Sequence, residues 1–202
     1  MELLAYTFEM QPLTFMICAF VCILGVLIVY KLKKEHKYQL SFMLLFAFYI
    51  LVLISLTMFP LTFITEAGRS TQIADTSGAF IQLVPGTILK SPILSSVAKQ
   101  VLGNILLLLP MYIFIKYMIN DKHRSTLKAA LISIGISFCI EIIQLLIDIL
   151  TDYSNHICDI DDIICNSLGV FLGVLIFKII TLIKPLDKFI REYIVYKQKS
   201  IE

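Results

Sequence analysis

Three aspartates, Asp159, Asp161 and Asp162, stand within four residues directly before the last long apolar run of the chain. Carboxylate oxygens bind ammonium groups and hard divalent cations such as Mg²⁺ or Ca²⁺. Asp159 and Asp162 would share one face of a helix, because side chains three residues apart point the same way. The cluster therefore predicts a site for a cationic group, and all three aspartates are candidate metal ligands.

The helix face that begins with Asp159 and Asp162 continues through Asn166, Gly169 and Gly173. Two glycines four residues apart let a second helix approach closely within a membrane. We therefore expect polar binding groups at the start of this helix and a packing groove further along. For Asp159 alone, capping of the helix is the simpler interpretation, because an aspartate at that position accepts backbone N–H groups.

A second polar face is predicted on the preceding apolar run, at spacings of three or four residues: Ser133, Ser137, Glu141, Gln144 and Asp148. An ionised carboxyl group inside a bilayer costs about 2.5–3.5 kcal/mol on insertion scales, so Glu141 is expected to face a partner or a cavity. Asn104 adds an amide near the start of the run before. For this single amide, an interhelical hydrogen bond is the simpler interpretation.

Five apolar runs must position these groups: Leu13–Tyr30, Leu40–Phe59, Val101–Ile119, Leu127–Leu150 and Ile163–Ile183. Of the 202 residues, 58% are hydrophobic, whereas soluble domains have roughly 45–50%. Each run is close to the ~20 residues that cross a bilayer as a helix. The sequence therefore predicts an all-α polytopic bundle of about five transmembrane helices in the cell membrane.

Lysine and arginine are concentrated in the loop after the first run, in the loop after the third run and in the tail. The amino terminus and residues 151–162 contain neither. Because basic loops remain on the cytoplasmic side, we expect the amino terminus outside and the carboxyl terminus in the cytoplasm. The polar residues then fall in the outer half of the bilayer and predict a pocket that opens outward. A net charge of +2, with lysines placed by the membrane, gives no support for nucleic-acid binding.

Three segments carry a resemblance to a known family: "GNILLLLP" from Gly103, "SFCIEIIQLL" from Ser137 and "DIDDIICNSLGVFLG" from Asp159. They resemble the VanZ-like membrane proteins, which have an asparagine and a proline in one span, Glu-x-x-Gln in the next, and Asp-x-Asp-Asp followed by Asn, Gly and Gly in the last. The chain keeps all of these positions, including Asn104, Pro110, Glu141 and Gln144. "LVP" at Leu83–Pro85 is similar to a short outer-loop motif of the family. The resemblance covers about half of the chain.

Two positions depart from the family pattern. A basic residue usually precedes the acidic cluster, where this chain has His156. After Pro110 the family often has an apolar residue and then glycine, where this chain has Met111–Tyr112. The ligand specificity of relatives is therefore not assumed for this chain. Whether Cys158 and Cys165 pair is left open by the sequence.

Hydropathy and the resemblance together divide the chain into four parts. Residues 1–60 would form two transmembrane helices with a basic cytoplasmic loop, and residues 61–98 an extracytoplasmic loop. Residues 99–183 would form the VanZ-like core of three transmembrane helices. Residues 184–202 would be a basic amphipathic cytoplasmic tail, either on the membrane surface or solvated. The apolar segment around Pro85–Gly86 is either a plain turn or a cover for the site.

The resemblance implies an envelope role, because the family is named for a protein that lowers susceptibility to the glycopeptide teicoplanin. We favour a non-enzymatic binder, which would hold a membrane lipid headgroup, a lipid-linked cell-wall precursor or a lipoglycopeptide. The expected binding set is Asn104, Glu141, Gln144, Asp159, Asp161, Asp162 and Asn166. The one cofactor that the residues suggest is Mg²⁺ or Ca²⁺ at the acidic rim. A homo-oligomer is left open.

Two further functions compete with the binder. One is a metal-assisted enzyme acting on a lipid-linked envelope substrate, with Glu141 as general base. The sequence offers no paired histidine ligands and no Ser–His pair, which lowers this alternative. The other is a small proton-coupled carrier that uses Glu141. Five spans without a visible inverted repeat speak against a carrier.

Overall fold

Five α-helices dominate the computed structural model of the chain, which describes residues 5–33, 37–65, 80–90, 92–119, 126–151 and 153–185. They are α1 (Pro12–Lys33), α2 (Lys37–Met58), α3 (Leu94–Met118), α4 (Thr126–Thr151) and α5 (Ile160–Leu182). All five are long and apolar enough to cross a membrane. The predicted polytopic helical architecture is therefore confirmed. The side of the membrane that each terminus occupies stays a prediction.

One helix boundary differs clearly from the expectation, because α3 begins at Leu94 and not near Val101. Its first turns contain Ser95, Ser96 and Lys99, which lower the local hydropathy and hide the helix from a search for apolar runs. The helix nonetheless continues without a break. The additional turns bring polar side chains into the region where the candidate site lies.

Four short strands supplement the helices, and the sequence did not predict them. Strand β1 (Ala5–Phe8) pairs antiparallel with β2 (Leu61–Ile64). Strand β3 (Ile81–Gln82) pairs parallel with β4 (Cys158–Asp159). All four lie at one end of the bundle, which we call the strand end. The opposite end carries the lysine-rich connections, and we call it the lysine end.

The centre of the bundle is formed by α3, α4 and α5, and the most extensive helix contact is between α3 and α5. Its buried apolar side chains form one cluster: Leu108, Met111, Tyr112, Ala129, Ile140 and Val170. Two glycines allow the close approach of α5 to α3. A Cβ at Gly169 would overlap the backbone carbonyl of Ile105, and one at Gly173 would lie 2.8 Å from the carbonyl oxygen of Leu109.

Helix α2 packs against α3 through aromatic side chains. Tyr49 stacks on Phe114 with ring centroids 5.2 Å apart, and the Tyr49 hydroxyl donates a hydrogen bond to the carbonyl oxygen of Leu107 at 2.7 Å. Helix α1 is different, because it packs mainly on α2. None of its described side chains is buried.

The side-chain amide of Asn155 joins residues 153–157 to strand β2 at the strand end. Asn155 accepts a hydrogen bond from the backbone N–H of Thr62 through Oδ1. Its Nδ2 donates to the carbonyl oxygen of Thr62 at 3.2 Å. The amide thereby pairs with β2 much as a neighbouring strand would. It fixes residues 153–157 beside the antiparallel β1–β2 pair.

Some predictions fall on residues outside the described ranges. The basic tail is one of them, since only its first residues are described, and residues 66–79 of the long loop are another. The pairing of Cys158 with Cys165, left open by the sequence, is settled, because both are free thiols.

Candidate functional site

A cavity of about 490 Å³ opens at the strand end, between the first turns of α3 and α5, the last turns of α4 and residues 80–90. We call residues 80–90 the wall loop, because four of them line the cavity. The polar lining residues are Gln82, Thr87, Ser96, Gln100, Gln144, His156, Asp159 and Asp162. Two of these carry carboxyl groups, and the described lining includes neither lysine nor arginine. The cavity is therefore acidic.

Asp162 lies in the first turn of α5 and is held by two side chains of α3. The Nε2 of Gln100 donates to its Oδ1 at 3.1 Å, and the Nδ2 of Asn104 donates to the same oxygen. Within the described part of the chain, Oδ2 of Asp162 accepts no hydrogen bond. The amides orient the carboxyl group, and its second oxygen is left for a ligand.

Asp159 has two roles in the structure. Its Oδ1 accepts a hydrogen bond from the backbone N–H of Asp161 at 2.8 Å, which caps α5. The same side chain lines the cavity. Burial raises the pKa of the Asp159 carboxyl above its usual range, and the charge of Asp161 adds to this rise, whereas the capping bond opposes it.

Asp161 faces away from the other two aspartates and does not line the cavity. It is buried, and its carboxylate accepts hydrogen bonds from the wall loop. The N–H of Gly86 donates at 2.7 Å, the N–H of Ile88 at 3.0 Å and the hydroxyl of Thr87 at 3.2 Å. The structure therefore places Asp161 as an anchor for the loop.

Glu141 was expected in the binding set, and the structure places it outside the cavity lining, beside β4. It is 3% exposed, and its Oε2 accepts a hydrogen bond from the backbone N–H of Asp159 at 3.0 Å. Glu141 is not among the lining residues. Its carboxyl group instead supports β4, and through β4 the position of Asp159.

Gln144 lies one turn further along α4 and does line the cavity. Its Nε2 donates to the carbonyl oxygen of Thr57 at 2.8 Å, near the end of α2. This bond satisfies one of the carbonyls that a helix end leaves without a partner in its own helix. Gln144 thus connects α2 to the bundle and leaves its amide oxygen at the cavity.

Asn166 lies deeper in α5 and outside the cavity lining. It is 1% exposed, and its Nδ2 donates to the hydroxyl of Ser137 on α4 at 3.0 Å. No described residue donates to its Oδ1. Asn166 therefore joins two helices below the site, in line with Gly169 and Gly173 on the same helix.

Several residues of the site were not in the expected set. Gln100 is one turn before Asn104 on the same face of α3, so this spacing could have indicated it. Asp148 is fully buried and accepts the backbone N–H groups of Asn155 at 3.0 Å and His156 at 3.1 Å. These two bonds hold the loop that brings His156 to the cavity. Because the donors are backbone N–H groups, no pattern of residue types in the sequence predicts these bonds.

The three aspartates do not converge on one point. Asp161 is turned towards the wall loop, whereas Asp159 and Asp162 line the cavity. Among the described residues, no group of three or more His, Cys, Asp or Glu side chains is arranged to hold a metal ion. The arrangement suits a hydrogen-bonding cation better than a cation that needs many oxygen ligands.

Five apolar helices with a polar cavity at one end define a class, that of multi-pass helical membrane proteins. Residues 46–181, about two thirds of the chain, match the VanZ/LLP1 family, and the chain belongs to that family. The matched range contains the wall loop, all of α3 and α4, and all of α5 except its last residue, but not α1. No curated protein and no solved structure matches the sequence.

Proposed function

We propose that this VanZ/LLP1-family protein binds the ammonium group of an envelope lipid headgroup or of a lipid-linked cell-wall precursor, without catalysing a reaction. The observation that carries the proposal is the acidic cavity at the strand end. Asp159 and Asp162 line it, and the described lining contains no basic side chain to neutralise them.

The geometry around Asp162 supports an ammonium ligand. Gln100 and Asn104 both donate to Oδ1, which fixes the plane of the carboxyl group and leaves Oδ2 for a third donor. An ammonium group supplies up to three N–H donors, and charge-assisted bonds of this kind are short and strong. The amides of Gln82 and Gln144 at the same cavity offer further polar contacts for a headgroup.

The size and place of the cavity support a headgroup. A volume of about 490 Å³ falls within the range of roughly 300–1,000 Å³ that is usual for small-molecule sites. The lining residues lie in the first or last turns of membrane helices and in the adjoining loops. Such a position is at the level of lipid headgroups, and the apolar tails can stay in the bilayer.

The distribution of basic residues indicates that the strand end faces outward. A protein in the cell membrane with this orientation meets the outer leaflet and the lipid-linked precursors of the wall. Binding there would change the access of a glycopeptide such as teicoplanin to its target. Lowered susceptibility is the phenotype we propose for the expressed protein.

The binding test uses the purified full chain in nanodiscs of phosphatidylglycerol, with dihexanoyl phosphatidylethanolamine as the probe. We expect saturable binding to the wild type and a loss of about tenfold or more in affinity for Asp162→Asn, because a bond to a charged group is removed. Glu9→Gln is the matched control, since Glu9 is an exposed carboxyl group at the same end of the bundle and outside the cavity.

Three results would contradict the proposal. Equal affinity of Asp162→Asn and the wild type for the probe would show that the cavity is not the binding site. Equal competition by dihexanoyl phosphatidylglycerol, which has no amine, would exclude the ammonium group as the feature recognised. Chemical conversion of the probe would show that the protein is an enzyme and does more than bind. The phenotype is tested by expressing the wild type, Asp162→Asn and Glu9→Gln at equal membrane levels in a teicoplanin-sensitive host.

A further inference from the structure

The Asp159–Asp162 segment divides its carboxyl groups between two surfaces. Asp159 and Asp162 line the cavity, whereas Asp161 is 5% exposed and its carboxylate accepts hydrogen bonds from the wall loop. We infer that Asp161 is a positioning residue, which fixes the wall loop and thereby sets the size of headgroup that the cavity admits. This inference rests on the proposed function, and its test is separable from it.

The residues that Asp161 holds are the residues that form the cavity wall. Its carboxylate accepts hydrogen bonds from the hydroxyl of Thr87 and the N–H of Ile88, and both residues line the cavity. A shift of this part of the loop therefore moves the wall itself. The dimension of the cavity on this side depends on the position of Asp161.

The backbone of the wall loop is shaped for this contact. Gly86 has φ +83°, a left-handed conformation that glycine adopts without the penalty that a Cβ brings. With this turn, the N–H groups of Gly86 and Ile88 both point at the one carboxylate. N–H groups turned to one side in this way form a concave set of donors that binds an anion. Asp161 fills that concavity from α5.

Among the described residues, few other contacts hold the loop beyond its start. At its beginning, β3 pairs with β4, and the N–H of Cys158 donates to the carbonyl oxygen of Phe80 at 2.9 Å. After that point the larger apolar side chains face outward, and Leu83, Val84 and Leu89 are 68%, 57% and 71% exposed. A segment that buries little apolar surface depends on its hydrogen bonds for its position. The hydrogen bonds to Asp161 therefore determine the position of this side of the cavity.

Amide hydrogen exchange of residues 83–90, followed by mass spectrometry on the full chain, tests the anchor without any ligand. We expect Asp161→Asn to raise exchange at Gly86 and Ile88 by about tenfold or more, because hydrogen bonds to a charged acceptor are lost. Gly86→Ala attacks the same contact from the loop side and leaves α5 intact, so it covers the case in which Asp161→Asn does not fold. Val84→Ala, with its exposed side chain in the same loop, is the matched control.

The second measurement compares dihexanoyl phosphatidylethanolamine with its bulkier N,N-dimethyl derivative, in which two methyl groups replace two N–H donors. This change of donors is the same for every variant, so a difference in preference between variants reports the fit of the headgroup. Both retain an N–H donor. We expect the wild type to prefer the unmethylated headgroup by ~10-fold, as a close-fitting pocket does when extra methyl groups must enter. In Asp161→Asn and Gly86→Ala this preference falls below about threefold, whereas Val84→Ala keeps it.

The outcomes separate the two ideas. If exchange in the wall loop is unchanged in both anchor variants, Asp161 does not hold the loop and the inference is wrong. If exchange rises but the preference stays, the loop does not set the headgroup size, and that part is wrong. If the wild type binds neither probe, the proposed function fails and headgroup selection fails with it, while the exchange result still decides whether Asp161 anchors the loop.

Discussion

Helices α1 and α5 are almost equal in length and equally apolar on average, yet they are placed very differently. None of the described side chains of α1 is buried. Helix α5 buries polar and small residues: Asp161, Cys165, Asn166, Gly169, Val170 and Gly173. In a bilayer the lipid tails are as apolar as leucine, so apolar side chains give helices little reason to associate. Apolarity decides which segments cross the membrane, and polar and small residues decide which of them packs closely in the centre of the bundle.

The largest expected effect concerns one glycine from each helix. Gly169→Leu should lower the free energy of unfolding by about 3 kcal/mol or more, because its side chain would overlap the backbone of α3 at Ile105. Gly25→Leu is the matched change on α1, where a Cβ meets no atom within 4 Å. Unfolding in mixed micelles, followed by circular dichroism, measures both. Equal losses for the two variants would remove the distinction between α1 and α5.

A smaller effect is expected from the polar contact below the site. Ser137→Ala leaves the Nδ2 of Asn166 buried without the acceptor that it now has at 3.0 Å. We expect a loss of about 0.6–2 kcal/mol, the usual range for hydrogen bonds between membrane helices. The near-isosteric change Thr14→Val on α1, where the side chain is exposed, should cost less than ~0.5 kcal/mol. The same unfolding assay applies. If Thr14→Val proved the more costly change, polar contacts would not be what distinguishes α5.

The smallest effect is expected at Glu141, whose carboxyl group on α4 supports the start of α5. Glu141→Gln keeps an oxygen that can accept the N–H of Asp159. We therefore expect the affinity for dihexanoyl phosphatidylethanolamine to change by less than about threefold, while Asp162→Asn loses about tenfold. Calorimetric titration in nanodiscs measures both values. A loss in Glu141→Gln as large as that in Asp162→Asn would return Glu141 to the binding set.

The helices could be predicted from the sequence because each needs only its own apolar run. The start of α3 could not, since Ser95, Ser96 and Lys99 interrupt the apolar signal while the helix continues. The strands contain two to four residues and have no periodicity of their own. They exist because distant segments meet at the strand end, and a local pattern does not contain that information.

The candidate site shows the same limit. The spacing of Asp159, Asp162 and Asn104 predicted polar groups at one level, and the structure places them at or beside one cavity. The orientations of Glu141 and Asp161 were not predictable, because each is decided by backbone N–H groups of a distant segment. Every residue type except proline supplies such a donor. Only the folded chain shows which carboxyl groups are already occupied and which remain for a ligand.

The hydrogen bonds that join the first half of the chain to the second have a consequence for biosynthesis. Tyr49 bonds to Leu107, Thr57 to Gln144, and Thr62 to Asn155. From the first of these bonds to the third, both partners lie later in the sequence. During translation each bond can form only after its later partner has been made, so the bond of Tyr49 becomes possible first and that of Thr62 last. The cavity also needs Asp162 from the start of α5, so it can be completed only after the later partners of all three bonds have been made.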